Sequence, residues 1–340
     1  MNRIISRFLS VLAVFCIGTA FSHAQTVLSA STYLPTTNFL TQASLIAWAA
    51  DVERVTQGRV KVNLLPKPVV APPGTFDAVR DGLADVSYTV HGMTPGRFPL
   101  SNVVEFPGGG DSAEQTSVAY QRIYEQYLAK VGEHKGVKVL AVFTHGPGEI
   151  LTSKRPVNSI EDVVGMKFRV PGGIALEVAK NLGAVGVLRP VTEIYELLNG
   201  GIVDGVFFPL DSVSSMKLEQ IIKHLTIVPG GLYNASFVMI MNEERFNKLS
   251  KQDRDAIDSV SGEYLARRIG RGFDAQEKIS RAALTAGNVA VTTASPAFMQ
   301  AFKAKTAGLE ANWIKEANAK GLDGAKVLAA YRAEVQRVAR

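Results

Sequence analysis

The sequence predicts an α/β protein of two domains, each built on a mostly parallel sheet flanked by helices. Three observations carry this expectation. Short β-favouring runs alternate with segments whose apolar residues recur at helical spacing. The chain has 340 residues, 46% of them hydrophobic, enough for two cores of ordinary size. No internal repeat, low-complexity tract or linker separates two halves, so the domains are expected to exchange strands rather than sit in tandem.

Residues 1–24 stand apart from the fold. Met1 to Arg7 is basic, Phe8 to Ala20 is almost wholly apolar, and Ser22-His23-Ala24 places small residues before Gln25. This is the pattern of a secretory signal peptide cleaved at Ala24-Gln25. The apolar run is shorter than the roughly 20 residues a membrane-spanning helix needs. The single cysteine, Cys16, lies inside that run after Val14-Phe15, without the small residue that precedes a lipidated cysteine. The exported chain is therefore free of cysteine, and its core must supply stability without a disulfide.

After the leader, Thr26 to Ser31 reads as a strand, and Asn38 to Thr56 as a helix with Phe39, Ala43, Ile46, Ala47 and Ala50 on one face. Val60 to Leu65 is a second strand, stopped by Pro66, Pro68, Pro72 and Pro73. A short helix over Gly74 to Gly82 leads into a strand over Asp85 to Val90. A long helix, Ala113 to Val131, precedes a strand over Val137 to Phe143. Further strands are expected at Ile150 to Thr152, Lys167 to Val170, Val185 to Leu188 and Val203 to Phe208, with helices at Ile174 to Leu182 and Glu193 to Asn199. Leu225 to Val228 and Phe237 to Met241 read as crossing strands. From Lys251 onward the pattern is helical over Lys251 to Thr285, Pro296 to Ala319 and Gly324 to Val338.

The formal net charge of +6 includes Arg3 and Arg7 of the leader. Elsewhere Lys and Arg are interleaved with Asp and Glu, so no basic face for nucleic acid is gathered. Catalysis has little support. There is no G-x-S-x-G elbow, no H-E-x-x-H, no phosphate-binding G-x-x-x-x-G-K-[ST] and no cysteine nucleophile after the leader. His91, His134, His145 and His224 lack metal-ligand spacing. No enzyme activity, metal or cofactor is expected.

Arg169 is the residue that stands out. It interrupts a β-run at the point where the chain breaks into Pro171-Gly172-Gly173 and a helix. In open α/β sheets ligands lie beyond the carboxyl ends of the strands. A guanidinium there presents a planar fork that matches a carboxylate, and amides near Gly172 and Gly173 at the helix start would assist. Position alone leaves an internal salt bridge equally open.

The surroundings of Arg169 supply a second kind of argument. Ile160 to Pro171, Leu182-Gly183-Ala184, Val191 to Leu198 and Gly201 to Gly205 follow one another with characteristic residues. Together with Thr152 to Pro156 and the acidic helical segment Asn242 to Ile257, they resemble the solute-binding proteins of tripartite ATP-independent periplasmic (TRAP) transporters, the DctP family, over essentially the whole exported chain. The resemblance implies a two-domain periplasmic-binding-protein clamshell with strands exchanged between domains and a long helix joining them. Domain I would comprise 25–146 with about 232–270, and domain II 147–231 with about 271–340, the ligand cleft lying between them. It also implies that Arg169 clamps the carboxylate of a small organic acid. The protein would act in the periplasm as a monomer and deliver that acid to the small and large membrane subunits. A ligand-sensing partner of a signalling receptor would use the same clamshell, and the sequence leaves both open.

Departures from the family pattern narrow the ligand. In sialic-acid-binding members a second arginine stands at the place of Glu149 and an asparagine at that of Phe208. A carboxylate and a phenyl ring there favour a monocarboxylate with an apolar or aromatic body. The other candidate cleft residues are Tyr33 after the first strand, His91, Met93 and Thr94 after the third, and Tyr233 and Phe237 beside a crossover. One ring of Phe207 and Phe208 should face the cleft, since successive strand side chains point oppositely. Asp211 either caps the following helix or accepts from a ligand hydroxyl.

Overall fold

The computed structural model describes residues 25–339, so the expected leader lies outside the described residues. Two sheets form the framework. The first takes strands β1 (Thr26–Ala30), β2 (Val60–Leu64), β3 (Val86–Val90), β4 (Val137–Thr144) and β10 (Ser236–Asn242), in the order β2-β1-β3-β10-β4. The second takes β5 (Gly148–Thr152), β6 (Lys167–Val170), β7 (Val185–Leu188), β8 (Gly205–Pro209), β9 (His224–Ile227) and β11 (Ala290–Thr293), in the order β11-β9-β5-β8-β6-β7.

The expected exchange of strands and the long connecting helix are present, but the pairing is more mixed than a mostly parallel sheet. β10 runs against both β3 and β4, and β5 against both β8 and β9. Each is a strand that has just crossed from the other sheet. A strand that enters from the cleft side, where the parallel strands end, has to run opposite to them. The two crossings lie side by side: Gly148 N donates to Tyr233 O (2.9 Å) and Leu232 N to Gly148 O (2.8 Å). Glycine is required at 148, because a Cβ there would sit 2.2 Å from the Tyr233 ring.

The expected helix over Lys251 to Thr285 is two helices, Lys251–Ser259 and Gly262–Ala286. The break falls where Gly262 takes φ +59°, a region that favours glycine, and the Ser261 hydroxyl turns back to Ile257 O (2.7 Å). Helix Gly262–Ala286 is the third link between the sheets. Its first half crosses helix Ala113–Ile123 closely at Gly270, where a Cβ would meet Glu114 Cα at 2.5 Å. Asp274 caps that helix by accepting from Ala113 N (2.7 Å) and Glu114 N (3.2 Å), satisfying amides that helix starts leave unpaired. In its second half, Leu284 belongs to the core of the second unit, and Ser280 Oγ accepts from Ser214 N (3.1 Å).

The C-terminal segment departs from its expected assignment. Strand β11, not anticipated from the sequence, extends the second sheet beside β9, but helix Gly324–Val338 packs back on Ala113–Ile123 of the first unit. The Arg122–Glu334 ion pair (3.1 Å) holds helix Gly324–Val338 there, and the preceding helix Gly308–Ala319 is tied to the first unit by the hydrogen bond from Trp313 Nε1 to Pro99 O (3.0 Å). In helix Gly324–Val338 the apolar residues Val327, Tyr331 and Val335 are buried in the larger core, a long-range preference that helical periodicity does not encode.

Candidate functional site

The parallel strands of both sheets end facing each other, and a cavity lies between those ends. Tyr33 comes from the loop after β1, Val90 from the end of β3, Arg169 from β6, Phe208 and Pro209 from β8, Ala235 from just before β10 and Phe237 from its start. Helices close the rest: Asn38 and Phe39 from one side, Phe273 of the long helix from another, and Ser212 and Met216 from the turns after β8.

Arg169 is 2% exposed. Its Nε donates to Arg189 O at 2.8 Å, which aims the rest of the guanidinium at the cavity. Among the described residues no carboxylate lies within ion-pairing distance of it, so the internal salt bridge that the sequence left open does not form. Burial lowers its pKa to about 10, so the group stays charged at neutral pH. The Phe208 ring lies 5.9 Å from Cζ, within cation–π range.

Among the described residues Arg169 is the only charged side chain in the lining. His145 also faces the cavity, but its Nε2 accepts from Ala235 N (3.0 Å). The proton therefore sits on Nδ1, directed at Gly146 O (2.5 Å). Burial depresses its pKa to about 4, so it is neutral and braces the crossing strands. The Tyr233 hydroxyl donates to Phe207 O (2.9 Å), which orients its ring. Tyr33 packs edge-on against Tyr88 at 5.3 Å, and burial pushes its pKa up, so the phenol remains a neutral donor. The Asn38 carbonyl oxygen accepts from Leu40 N (2.9 Å). Phe237 and Phe273 complete an aromatic wall, 6.0 Å between ring centroids.

Of the residues singled out in the sequence, Arg169, Tyr33, Phe208, Tyr233 and Phe237 meet around this cavity. The others do not line it. Phe207 points to the opposite face of β8 and packs on Phe168 at 4.7 Å, the alternation a strand imposes. Glu149 pairs with Phe208 across the strands, but its carboxylate turns away and accepts from Val228 N at 2.6 Å. Burial raises its pKa to about 8. Asp211 accepts from Gly146 N (3.1 Å) and from the Ser212 hydroxyl (2.7 Å), with its pKa raised by burial to about 7. It ties the turn after β8 to the crossover.

His91 is enclosed in the first unit, Nδ1 3.0 Å from Ser236 Oγ and Nε2 2.8 Å from His134 Nε2. Met93 is buried in the turn His91–Met93, and the Thr94 hydroxyl donates to His91 O (3.3 Å). Gly172 and Gly173 lie outside the cavity lining. Gly172 abuts Gly92, and the start of helix Ile174–Asn181 already meets a carboxylate, since Ile174 N donates to Glu105 Oε2 at 2.9 Å. Asn38, Phe39, His145, Ser212, Met216 and Phe273 are lining residues that sequence reasoning missed. His145 carried a local signal, since it directly follows a strand's carboxyl end in the manner that drew attention to His91.

Among the described residues no group of acidic, histidine or cysteine side chains is placed to hold a metal ion, and no helix is long and apolar enough to cross a membrane. Chemically, the site is one fixed positive fork at the wall of an aromatic, largely apolar cavity.

Residues 30–316 match the family DctP, described as bacterial extracellular solute-binding protein, family 7. A TRAP periplasmic solute-binding protein from Bordetella bronchiseptica, solved with bound (R)-mandelate and (S)-mandelate, is 43% identical, with a TM-score of 0.90 over 92% of this chain and 99% of that one. A marine-metagenome TRAP solute-binding protein specific for aromatic acid ligands, in complex with metahydroxyphenylacetate, is 33% identical, with a TM-score of 0.87 over 93% of this chain and 100% of that one. The outer membrane transporter protein TsaT of Comamonas testosteroni is 30% identical over 298 residues, 87% of this chain and 88% of that one.

Proposed function

This chain belongs to the DctP family of bacterial extracellular solute-binding proteins, family 7, and we propose that the organic acid it captures is an aromatic monocarboxylate of about the size of mandelate or benzoate. The observation that carries this reading is Arg169, buried and without a protein carboxylate among the described residues, as the one charge in a cavity walled by Phe208, Phe237 and Phe273. One guanidinium neutralises one carboxylate. A second carboxylate, or the many hydroxyls of a sugar acid, would be desolvated against phenyl rings without compensation. Tyr33, Asn38 and Ser212 supply the few polar groups that would orient a hydroxyl on the ligand's side chain or ring.

Capture then proceeds by closure of the two units. The acid enters the open cleft, its carboxylate meets the Arg169 fork, and its ring fills the space beside Phe208. Ligand shifts the equilibrium toward the closed form through contacts that exist only there. The bound acid is then handed to the membrane subunits of a TRAP transporter. The basic, apolar and small-residue pattern of residues 1–24 supports export to the periplasm with cleavage at Ala24-Gln25.

The test is a thermal-shift screen followed by calorimetry with (R)- and (S)-mandelate, benzoate, 3-hydroxyphenylacetate, succinate and a sialic acid. Aromatic monocarboxylates should raise the melting temperature and the last two should not. Binding of succinate or the sialic acid in preference to every aromatic acid would overturn the assignment.

A further inference from the structure

The two units also meet beside the cavity, away from the Arg169 fork. Gly92, just past β3, and Gly172, just past β6, press backbone on backbone. A Cβ at Gly172 would lie 2.0 Å from Gly92 O, and one at Gly92 would lie 2.8 Å from both Gly172 C and Gly173 N. Next to this contact Glu105 of the first unit is 2% exposed. One of its oxygens accepts from Ile174 N (2.9 Å) in the second unit. The other accepts from Ser236 N (3.0 Å) and from the Ser236 hydroxyl (2.5 Å) at the start of β10 in the first. Behind Ser236, His91 and His134 continue the hydrogen-bonded chain into the first unit.

The carboxylate is thus held by donors from both sides of the cleft, and it sits at the N-terminus of helix Ile174–Asn181, where negative charge is favoured. Gly173 holds φ +57° and ψ −143°, a conformation suited to glycine. A Cβ there would lie 2.1 Å from Glu105 Oε2, so the second unit is shaped to admit this side chain.

We propose that Glu105 is the latch that holds the cleft closed, a positioning residue that fastens the segment following Arg169 to the first unit. Opening must break the bond to Ile174 N and part the two glycines, Gly172 standing three residues after Arg169. The latch therefore sets how long a captured acid stays. The nature of the acid rests on the function proposed above, whereas the latch itself does not.

Two variants test it in the exported chain, which has no cysteine after Gln25 and so accepts dyes at Lys61→Cys and Lys180→Cys, both exposed positions on opposite units. Glu105→Gln replaces an acceptor with a donor that faces Ser236 N–H or Ile174 N–H. Gly92→Ala inserts a methyl group that only the closed form would clash with. By single-molecule energy transfer both should lower the closed fraction of the ligand-free chain. With benzoate and (R)-mandelate, both should speed dissociation by about tenfold or more with the association rate nearly unchanged. The ligand-free melting temperature should stay within about 2 °C of the parent, since a structural loss of 1 kcal/mol would shift it by roughly that much or more.

An unchanged closed fraction and dissociation rate in both variants would overturn the latch. So would an equal fall in ligand-free and ligand-bound melting temperatures, which would make Glu105 a support of the fold alone. If the parent binds neither acid, the proposed ligand class fails, and the energy-transfer comparison of ligand-free parent and variants still decides the latch.

Discussion

Replacing Arg169 by methionine removes the one charge among the described residues that faces the cavity, while keeping most of the side chain's length and volume. Two consequences of opposite sign follow. In the ligand-free fold the guanidinium is buried without a carboxylate partner among the described residues, and its pKa falls from 12.5 to about 10. That difference corresponds to roughly 3 kcal/mol of desolvation cost at 1.36 kcal/mol per pKa unit. Because the folded pKa lies below the unfolded one, the cost is present in full at every pH below about 10. Methionine has no such cost, so the ligand-free variant should melt no lower than the parent, and a few degrees higher if a substantial part of that cost is recovered. Binding responds in the other direction. A ligand carboxylate left without its partner in a dry cavity costs about 3–5 kcal/mol, which weakens affinity by roughly two to three and a half orders of magnitude. The assays are scanning calorimetry without ligand and titration calorimetry with benzoate. A variant that binds benzoate within about threefold of the parent would refute the carboxylate clamp. A variant that loses binding and also several degrees of ligand-free stability would refute the claim that the arginine is kept at a cost to the fold.

Phe208→Ala removes the ring beside the guanidinium and should weaken benzoate and mandelate by about 10- to 100-fold, because burying an apolar group of this size contributes roughly 1.5–3 kcal/mol. Acetate, which has no ring, should be affected far less in the same titration. Glu149 carries a raised folded pKa of about 8 against an ordinary value of 4.5, so stability present below pH 4.5 is lost progressively as pH rises toward 8. Glu149→Gln should flatten the stability profile over that window and stabilise the chain at pH 7 by up to roughly 3 kcal/mol, measured by denaturant unfolding from pH 4.5 to 8.5. Mass spectrometry of protein recovered from the periplasm should find Gln25 as the first residue.

The site was partly legible because a few residues violate local expectations. Arg169 is a charge inside a β-run that breaks at Pro171-Gly172-Gly173, and Tyr33 and Phe208 stand at or beside strand carboxyl ends, where ligands bind. Glu149 was misleading for a definite reason. It pairs with Phe208 across two strands, so its backbone is at the site, but its side chain takes the nearest free amide, that of Val228. Gly172 and Gly173 misled in a related way, since a Cβ at Gly172 would meet Gly92 and one at Gly173 would meet Glu105, a carboxylate of the chain itself. Asn38, Phe39 and Phe273 carry no local mark of function. They reach the cavity because two helices far apart in sequence are packed together, with Phe39 against Phe273 at 5.2 Å.

Local chemistry along the chain was sufficient for the class of fold, most element positions, the leader pattern and the anomaly of Arg169. Periodicity, proline and glycine placement and charge act over a few residues at a time, and so can be read in order. The tertiary structure decided everything that depends on which distant groups meet. It turned β5 and β10 against their neighbours, returned helix Gly324–Val338 to the first unit, left Arg169 without a carboxylate partner among the described residues and set Glu105 across the cleft. Burial and pairing fix the energy of a charge, and neither exists until distant parts of the chain pack together.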